Sequence, residues 1–289
     1  MPQSARHPRR RRFAALGASI MMAAVATAHA VSTQPASLVL QTSKETGQSI
    51  EARIDGVPGT FLFDSGWGVT AVTPDVAARI GCTPWGQITG FRAIGERLDM
   101  QKCNAARLQI SGVTLPIPTL GVFDLMKLMP KGMAPLSGGI GLDVFDGRQI
   151  TIQSRARRLV LETPASLAKR VQSAHAIPIR LVRDSGGVAL TVHAGLPTSA
   201  GMVWMELDTG NRSGTYLVGK HVAALLGLKP DVAGPQAIHR DIVPGVTLAG
   251  KAVVSGLIMD GNIGSSFLDD WDLTLDLKAG KGWLAPAQP

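Results

Sequence analysis

One short pattern occurs twice in this chain: an apolar run that ends in Asp, followed by a small hydroxyl residue and Gly. The first copy is Phe61–Gly66 (FLFDSG) and the second is Met205–Gly210 (MELDTG). A carboxylate at the end of a buried strand is costly to ionise unless another group pairs with it or solvates it. Two such carboxylates, at matching places in two similar halves, indicate that the fold brings Asp64 and Asp208 face to face.

A longer internal repeat supports two similar halves. Residues 141–161 align with residues 264–284 without a gap, at a constant offset of 123. The two Asp residues are 144 positions apart, so the first half is about 21 residues longer between its Asp and its Ile-Gly. We expect the extra residues to form a mobile Gly-rich hairpin. The repeat predicts an N-terminal lobe over 31–165 and a C-terminal lobe over 166–289.

Local patterns predict a chain that is mainly β with short helices. Residues 50–63 are typical of a hairpin with an Asp-Gly turn. Thr73 suits a helix N-cap and Pro74 the first helical position, so a short helix follows. We also expect a strand over 107–117 and a helix over 220–226.

The N-terminal 30 residues indicate export. Their charge is entirely basic, and an apolar run follows it and ends in Ala28-His29-Ala30, a pattern typical of signal-peptide cleavage. The basic residues are Arg6, Arg9, Arg10, Arg11 and Arg12. We therefore predict a signal peptide over 1–30 and a periplasmic or secreted chain. The arginine run also fits twin-arginine export, and the general and twin-arginine routes both stay open.

The charge of the remaining chain argues against a nucleic-acid partner. Without those five arginines, 24 basic residues face 21 acidic ones, and no basic stripe with interleaved aromatics occurs. No other apolar run approaches the length of a membrane span, so we expect none in the mature chain.

Two cysteines, Cys82 and Cys103, remain to be explained. In an oxidising compartment an even pair favours a disulfide. Two free thiols are the alternative. Neither has a His or a third Cys at ligand spacing nearby, so we do not expect a zinc site.

The two Asp motifs resemble the two lobes of an aspartyl protease. Each has a downstream apolar-Gly partner, Gly139-Ile140-Gly141 in the first half and Asn262-Ile263-Gly264 in the second. In this respect the chain is similar to the retropepsin-like aspartyl proteases of bacterial exported proteins, with two such lobes fused over residues 38–286. The resemblance implies a bilobal, all-β acid-protease barrel fold and an aspartic endopeptidase that acts on peptides as a monomer.

The resemblance also implies roles for individual residues. Asp64 and Asp208 would form the catalytic pair that activates a water, and no metal or cofactor is implied. The remaining positions are the loop-supporting residues Ser65, Gly66, Thr209 and Gly210, and the substrate or flap candidates Trp67, Trp85, Phe91 and Asn211. The flap would be the hairpin of residues 86–95.

Two positions depart from the family pattern. Trp67 and Asn211 stand where the family usually has Ala, Ser or Thr. Trp67 would narrow the cleft or displace a substrate subsite, and Asn211 would hydrogen-bond its neighbouring carboxylate. An alternative function rests on these departures, a catalytically weak or inactive protein of the same fold that binds peptides in the periplasm. The presence of both Asp residues favours the enzyme.

Other site types fit the residues less well. Gly139-x-Gly141 lacks the third glycine of a dinucleotide-binding loop, and a strand rather than a helix is expected after it. Ser65 lacks the Gly-x-Ser-x-Gly turn of a serine hydrolase. The acids at positions 269, 270 and 272 are more typical of a solvated turn than of a metal site.

Overall fold

The protein is built almost entirely of strands. The computed structural model describes residues 1, 34–43 and 47–288, so the signal peptide predicted over 1–30 lies outside the described residues except for Met1. The strands, in chain order, are β1 (Ala36–Val39), β2 (Gln41–Ser43), β3 (Gly47–Ile54), β4 (Val57–Phe63), β5 (Ala71–Val72), β6 (Trp85–Phe91), β7 (Arg97–Cys103), β8 (Ala106–Ile110), β9 (Val113–Ile117), β10 (Leu120–Val122), β11 (Gly138–Ile140), β12 (Gln149–Gln153), β13 (Arg158–Leu161), β14 (His175–Ile177), β15 (Ile179–Val182), β16 (Thr191–Thr198), β17 (Gly201–Leu207), β18 (Tyr216–Gly219), β19 (Pro235–Val243), β20 (Val246–Ser255), β21 (Gly261–Ile263), β22 (Trp271–Asp276) and β23 (Lys281–Pro286).

Helical segments are few and short. The α-helices are α1 (Pro74–Arg79), α2 (Pro164–Arg170) and α3 (Ser265–Leu268). The 3₁₀ segments are Leu125–Leu128, Leu142–Phe145, Val171–Ser173, Ser185–Gly187 and Ala223–Leu226.

The first half of the described chain forms a ten-stranded sheet in the order β6-β7-β10-β5-β11-β4-β3-β8-β9, with β2 paired to β3. Strands β3 and β4 form the predicted hairpin. Alternate residues of β3 point in and out, so that Ala52 and Ile54 are buried while Glu51 and Arg53 are exposed. Strand β11 lies between β4 and β5, parallel to the first and antiparallel to the second.

The second half repeats this arrangement. Its seven-stranded sheet has the order β15-β16-β17-β21-β18-β20-β19. Strand β21 lies between β17 and β18, again parallel to the first and antiparallel to the second. The strand that leads into each Asp is therefore paired with the strand that ends at the Ile of its Ile-Gly partner.

A third sheet joins the halves. It is antiparallel, with the order β1-β13-β12-β22-β23-β14. At its centre β12 pairs with β22, and Thr151 lies opposite Thr274 with 3.0 Å between the two hydroxyl oxygens. The positions of these two residues in the sequence differ by 123, which is the offset of the internal repeat. The bilobal, all-β fold class predicted from the sequence is confirmed.

The described residues of 34–43 and 47–288 form one compact unit. Its main core is continuous, since buried side chains from all three sheets belong to one apolar cluster. Among the described residues, no helix is long and apolar enough to cross a membrane.

Two element predictions are wrong in detail. The single strand expected over 107–117 is a hairpin, β8–β9, because Ser111 and Gly112 both adopt positive φ and turn the chain. The helix expected over 220–226 is a 3₁₀ segment, Ala223–Leu226, that ends at the left-handed Gly227. The helix predicted at Pro74 is confirmed and ends at Arg79.

Candidate functional site

Asp64 and Asp208 occupy equivalent places at the ends of β4 and β17. The backbone N–H of Asp64 donates to the carbonyl of Ile140 at 3.1 Å, and that of Asp208 donates to Ile263 at 2.9 Å. These bonds continue the parallel β4–β11 and β17–β21 pairings by one residue. Each carboxyl is therefore fixed on a rigid strand end.

The two loops are locked together by reciprocal hydrogen bonds. The N–H of Ser65 donates to the Thr209 hydroxyl at 3.0 Å, and the N–H of Thr209 donates to the Ser65 hydroxyl at 3.0 Å. The Ser65 hydroxyl in turn donates to the carbonyl of Leu207 at 2.6 Å. Both hydroxyl residues are buried. A small hydroxyl after each Asp thus joins the two halves directly.

The two glycines that follow allow close approach of the halves. A Cβ on Gly66 would lie 2.7 Å from Cγ of Asp208, and a Cβ on Gly210 would overlap the carboxyl of Asp64. The N–H of Gly66 donates to Asp64 at 2.8 Å, and that of Gly210 donates to Asp208 at 2.7 Å. Each glycine therefore donates a hydrogen bond to the carboxyl of its own half and, having no side chain, leaves space for the carboxyl of the other half.

The carboxyl pair is electrostatically coupled. Burial raises the pKa of Asp64 well above its usual range, and the charge of Asp208 and a side-chain hydrogen bond with it raise that pKa further. Backbone N–H groups of Gly66 and Gly210 oppose the shift. Burial and the neighbouring carboxyl therefore both favour the protonated form of Asp64.

A set of polar side chains, here called the Asn262 network, supports Asp208 and consists of Asn262, Glu206 and Asn211. The Asn262 amide donates to Asp208 at 2.6 Å and to Glu206 at 3.2 Å, and its oxygen accepts from the Asn211 amide at 2.7 Å. Glu206 and Asn262 are 7% and 3% exposed. The Asn211 side chain thus acts on the carboxylate through Asn262, while its backbone N–H donates directly to Asp208 at 3.1 Å.

The corresponding positions of the first half are apolar. Trp67, which matches Asn211, packs against Phe123 with ring centroids 6.0 Å apart and belongs to a small apolar cluster with Leu62. Its ring also lies against Gly139, where a Cβ would come within 3.0 Å of the indole nitrogen. Among the described residues, no group accepts a hydrogen bond from that buried nitrogen. The bulk of Trp67 therefore fills this cluster.

The hairpin β6–β7 reaches from the first half to the second. Near its tip, the N–H of Ile258 donates to the carbonyl of Ala93 at 2.9 Å. Ile88, within β6, packs with Val69 and Ala189 in an apolar cluster that includes both halves. The hairpin predicted as a mobile flap is thus in contact with both halves in this structure.

The two aromatic candidates on this hairpin lie at different ends. Phe91 is 58% exposed near the tip. Trp85, at the base, is 50% exposed, donates to Asn104 at 3.0 Å and lies under the Lys102 ammonium. The disulfide Cys82–Cys103, which the sequence favoured over two free thiols, closes the base.

Glu206 and Asn262 are the site residues that sequence reasoning missed. The available signal was spacing, because residues two apart on a strand share a face, and Glu206 is two positions before Asp208. Among the described residues, no group of three or more His, Cys, Asp or Glu side chains is arranged to hold a metal ion.

Comparisons with known proteins agree with this geometry. A family model described as "Aspartyl protease" matches residues 50–144, which include the first Asp motif and its Ile-Gly partner. No curated protein matches the chain.

Solved structures resemble the whole fold. Conglutin gamma, a basic 7S globulin from lupine seeds, has a TM-score of 0.57 at 8% identity, with 88% of this chain and 95% of that chain covered. The basic 7S globulin from soybean has a TM-score of 0.50 at 10% identity, with 87% and 94% covered. At such identities the structural likeness shows the fold alone. The family match makes residues 50–144 similar to aspartyl proteases, and the structural likeness supports a fold of that kind for the rest of the chain.

Proposed function

We propose that the protein is an aspartic endopeptidase that hydrolyses peptide bonds with Asp64 and Asp208. The observation that supports this most is the placement of the two carboxyls at equivalent strand ends, with their loops joined by the Ser65–Thr209 hydrogen bonds. Burial and the charge of Asp208 raise the pKa of Asp64 there. One member of such a pair retains a proton while the other is ionised, which is the state that acid–base catalysis on water requires.

The chemistry assigns a separate role to each carboxyl. The carboxylate of Asp208 takes a proton from water as the water oxygen forms a bond to the peptide carbonyl carbon. Asp64 gives its proton to the carbonyl oxygen, so a neutral tetrahedral diol forms. The proton on Asp208 then passes to the amide nitrogen, the C–N bond breaks, and a diol proton returns to Asp64. Charge and atoms balance without a metal or cofactor.

The hairpin β6–β7 is proposed as the flap, with Phe91 as a substrate-contacting residue. Its tip is bonded to the segment around Ile258, so a peptide must displace or bend this contact to enter. We place the protein in the periplasm or another exported compartment. The disulfide Cys82–Cys103 supports this placement, because such bonds persist in oxidising compartments.

The test is peptidase activity on a mixed peptide library from acid to neutral pH. We expect Asp64→Asn and Asp208→Asn each to lower kcat/KM at least about 100-fold, the usual contribution of acid–base groups. Since the acid form of Asp64 is required, activity is expected to fall as pH rises through the raised pKa of that residue. Asp75→Asn, on an exposed turn of α1, is the matched control and is expected to keep full activity.

Cleavage that persists unchanged in both aspartate variants would refute the proposal. A second candidate is a protein of this fold that binds peptides without cutting them. Trp67 and Asn211 favour it, because they stand where the family usually has a small Ala, Ser or Thr after each Asp motif. Peptide binding by the wild type, with no cleavage at any pH, would establish this second function instead.

A further inference from the structure

The two halves carry the same backbone but opposite side-chain chemistry behind the carboxyl pair. In the second half the β17–β21 register places Asn262 opposite Glu206. In the first half the equivalent β4–β11 register places Gly139 opposite Leu62. The amide and the third carboxyl therefore support one aspartate and have no counterpart beside the other.

The Asn262 amide has one favourable orientation. Its NH₂ group faces the oxygens of Asp208 and Glu206, and its oxygen faces the NH₂ group of Asn211. If the amide were rotated by half a turn, its oxygen would face the carboxyl oxygens of Asp208 and Glu206, and its NH₂ group would face the NH₂ group of Asn211. Both contacts would be repulsive. Asn211 is itself fixed, since its side-chain oxygen accepts from the N–H of Ser213 at 3.1 Å. The network therefore delivers an N–H donor to Asp208 in a defined direction.

Resting on the peptidase function above, we propose that Asn262, fixed by Glu206 and Asn211, is the positioning residue that makes the two aspartates inequivalent. Hydrogen bonds from N–H donors stabilise the ionised form of a carboxyl. Asp208 receives the Asn262 amide in addition to two backbone N–H groups. Among the described residues, no side-chain amide donates to Asp64. The network thereby assigns the base role to Asp208 and leaves the proton on Asp64.

Glu206 accepts the hydrogen bond from Asn262 in its neutral, protonated form. Burial raises the pKa of Glu206 well above its usual range, and the charges of Asp208, Asp64 and Asp184 raise it further. His193 lies opposite Glu206 on the neighbouring strand. Burial and the nearby charge of Arg180 lower the pKa of His193 to about 4, so above that pH it carries no positive charge to offset the carboxylates. At acid pH a neutral Glu206 accepts from Asn262 without adding charge to the site.

Three variants separate this role from simple packing. Asn262→Ala removes the donor, so kcat/KM is expected to fall about ten-fold or more, the value of a hydrogen bond to a charged group. The acidic limb of its pH profile moves to higher pH. Glu206→Leu introduces the residue that the first half has at the equivalent position 62. It removes the acceptor that helps to orient the Asn262 amide, so we expect a similar loss of kcat/KM. Glu206→Gln keeps a neutral acceptor and is expected to recover most of that loss.

The matched control is Glu51→Gln, which removes one exposed carboxyl of β3. It is expected to leave the pH profile unchanged. Equal losses in Glu206→Gln and Glu206→Leu would show that the negative charge itself is needed, and would overturn the proposal. An acidic limb that stays in place in Asn262→Ala would overturn it as well.

A measurement independent of cleavage completes the test. In the full chain with ¹³C-labelled aspartate carboxyls, the Asp208 signal is assigned by its loss in Asp208→Asn. At a pH where the pair holds one proton, we expect the ionised shift in the wild type and movement toward the protonated shift in Asn262→Ala. An unchanged shift would refute the positioning role. Absence of cleavage by the wild type would refute the peptidase function instead, and the carboxyl shifts would still decide the role of Asn262.

Discussion

Asp143 shows what burial does to a single carboxyl outside the proposed catalytic pair. Its two oxygens accept from the backbone N–H and the hydroxyl of Thr70, at 2.9 and 2.7 Å. The same hydroxyl accepts from the N–H of Gly141 at 3.1 Å. Asp143 therefore ties the loop after Asp64 to the end of β11. Burial outweighs these hydrogen bonds and raises the pKa of Asp143 to about 6.

A pH dependence of stability follows from this residue. A carboxyl with a raised pKa stabilises the fold fully at pH values below its unfolded pKa, and this contribution is lost as pH rises through the folded pKa. For Asp143 the loss falls between about pH 4 and pH 6 and amounts to roughly 3 kcal/mol. Urea unfolding of wild type and Asp143→Asn across this range measures it. We expect the difference to move in favour of the variant as pH rises, and a constant difference would contradict the assignment.

The residues that sequence predicted best are those with a local signature. The Asp-hydroxyl-Gly pattern occurs twice, and the interlocked Ser65 and Thr209 follow from the matching positions. Glu206 and Asn262 have no such signature, because their meeting depends on which strand β17 pairs with and in which register. Trp67 was expected to narrow the cleft or displace a substrate subsite. In the structure its ring packs against Phe123 and Gly139. No local pattern predicts this packing, because both partners are distant in sequence.

Among the elements, the hairpin β6–β7 accounts for much of the difference between the two halves. Its strands pair from Phe91 with Arg97 back to Trp85 with Lys102. The extra length between the first Asp and its Ile-Gly predicted such an insertion, and the glycines predicted its turns. The contact of its tip with Ile258 was not predictable, since no local pattern in either segment specifies a partner.

The disulfide at the base of this hairpin stabilises it against the rest of the sheet. The bond joins residues 21 positions apart, and a loop of that size contributes about 3 kcal/mol in the chain-entropy model. We expect the double variant Cys82→Ala, Cys103→Ala to lose about that much unfolding free energy in urea. Wild type treated with a thiol reductant is the control for the crosslink alone, and should lose a similar amount. Unchanged stability in both proteins would contradict this role.

For the whole molecule, the central sheet decides how the halves behave together. Its β12–β22 pairing joins strands from the two halves, and the main apolar core is continuous across them. The lobe limits of 31–165 and 166–289 stay a prediction, and helix α2 begins at Pro164, next to the proposed boundary.

We therefore expect thermal unfolding of residues 33–289 as a single cooperative transition. Because neither half can separate without breaking the central sheet, the calorimetric and van't Hoff enthalpies should agree. Differential scanning calorimetry of the oxidised protein measures both. Two resolved transitions, or a van't Hoff enthalpy well below the calorimetric value, would show that the lobes unfold independently.

The unequal support of Asp64 and Asp208 has a consequence for symmetric assemblies of either half. A homodimer of first halves would place two Leu62–Gly139 pairs behind its carboxyls and would contain no amide donor. A homodimer of second halves would bring two copies of Glu206 to one axis and crowd four acids together. The pairing of unlike halves gives one acid an amide neighbour and the other an apolar one. Fusion in one chain holds the two unlike halves together in a fixed ratio, so that each proposed catalytic site contains one aspartate of each kind.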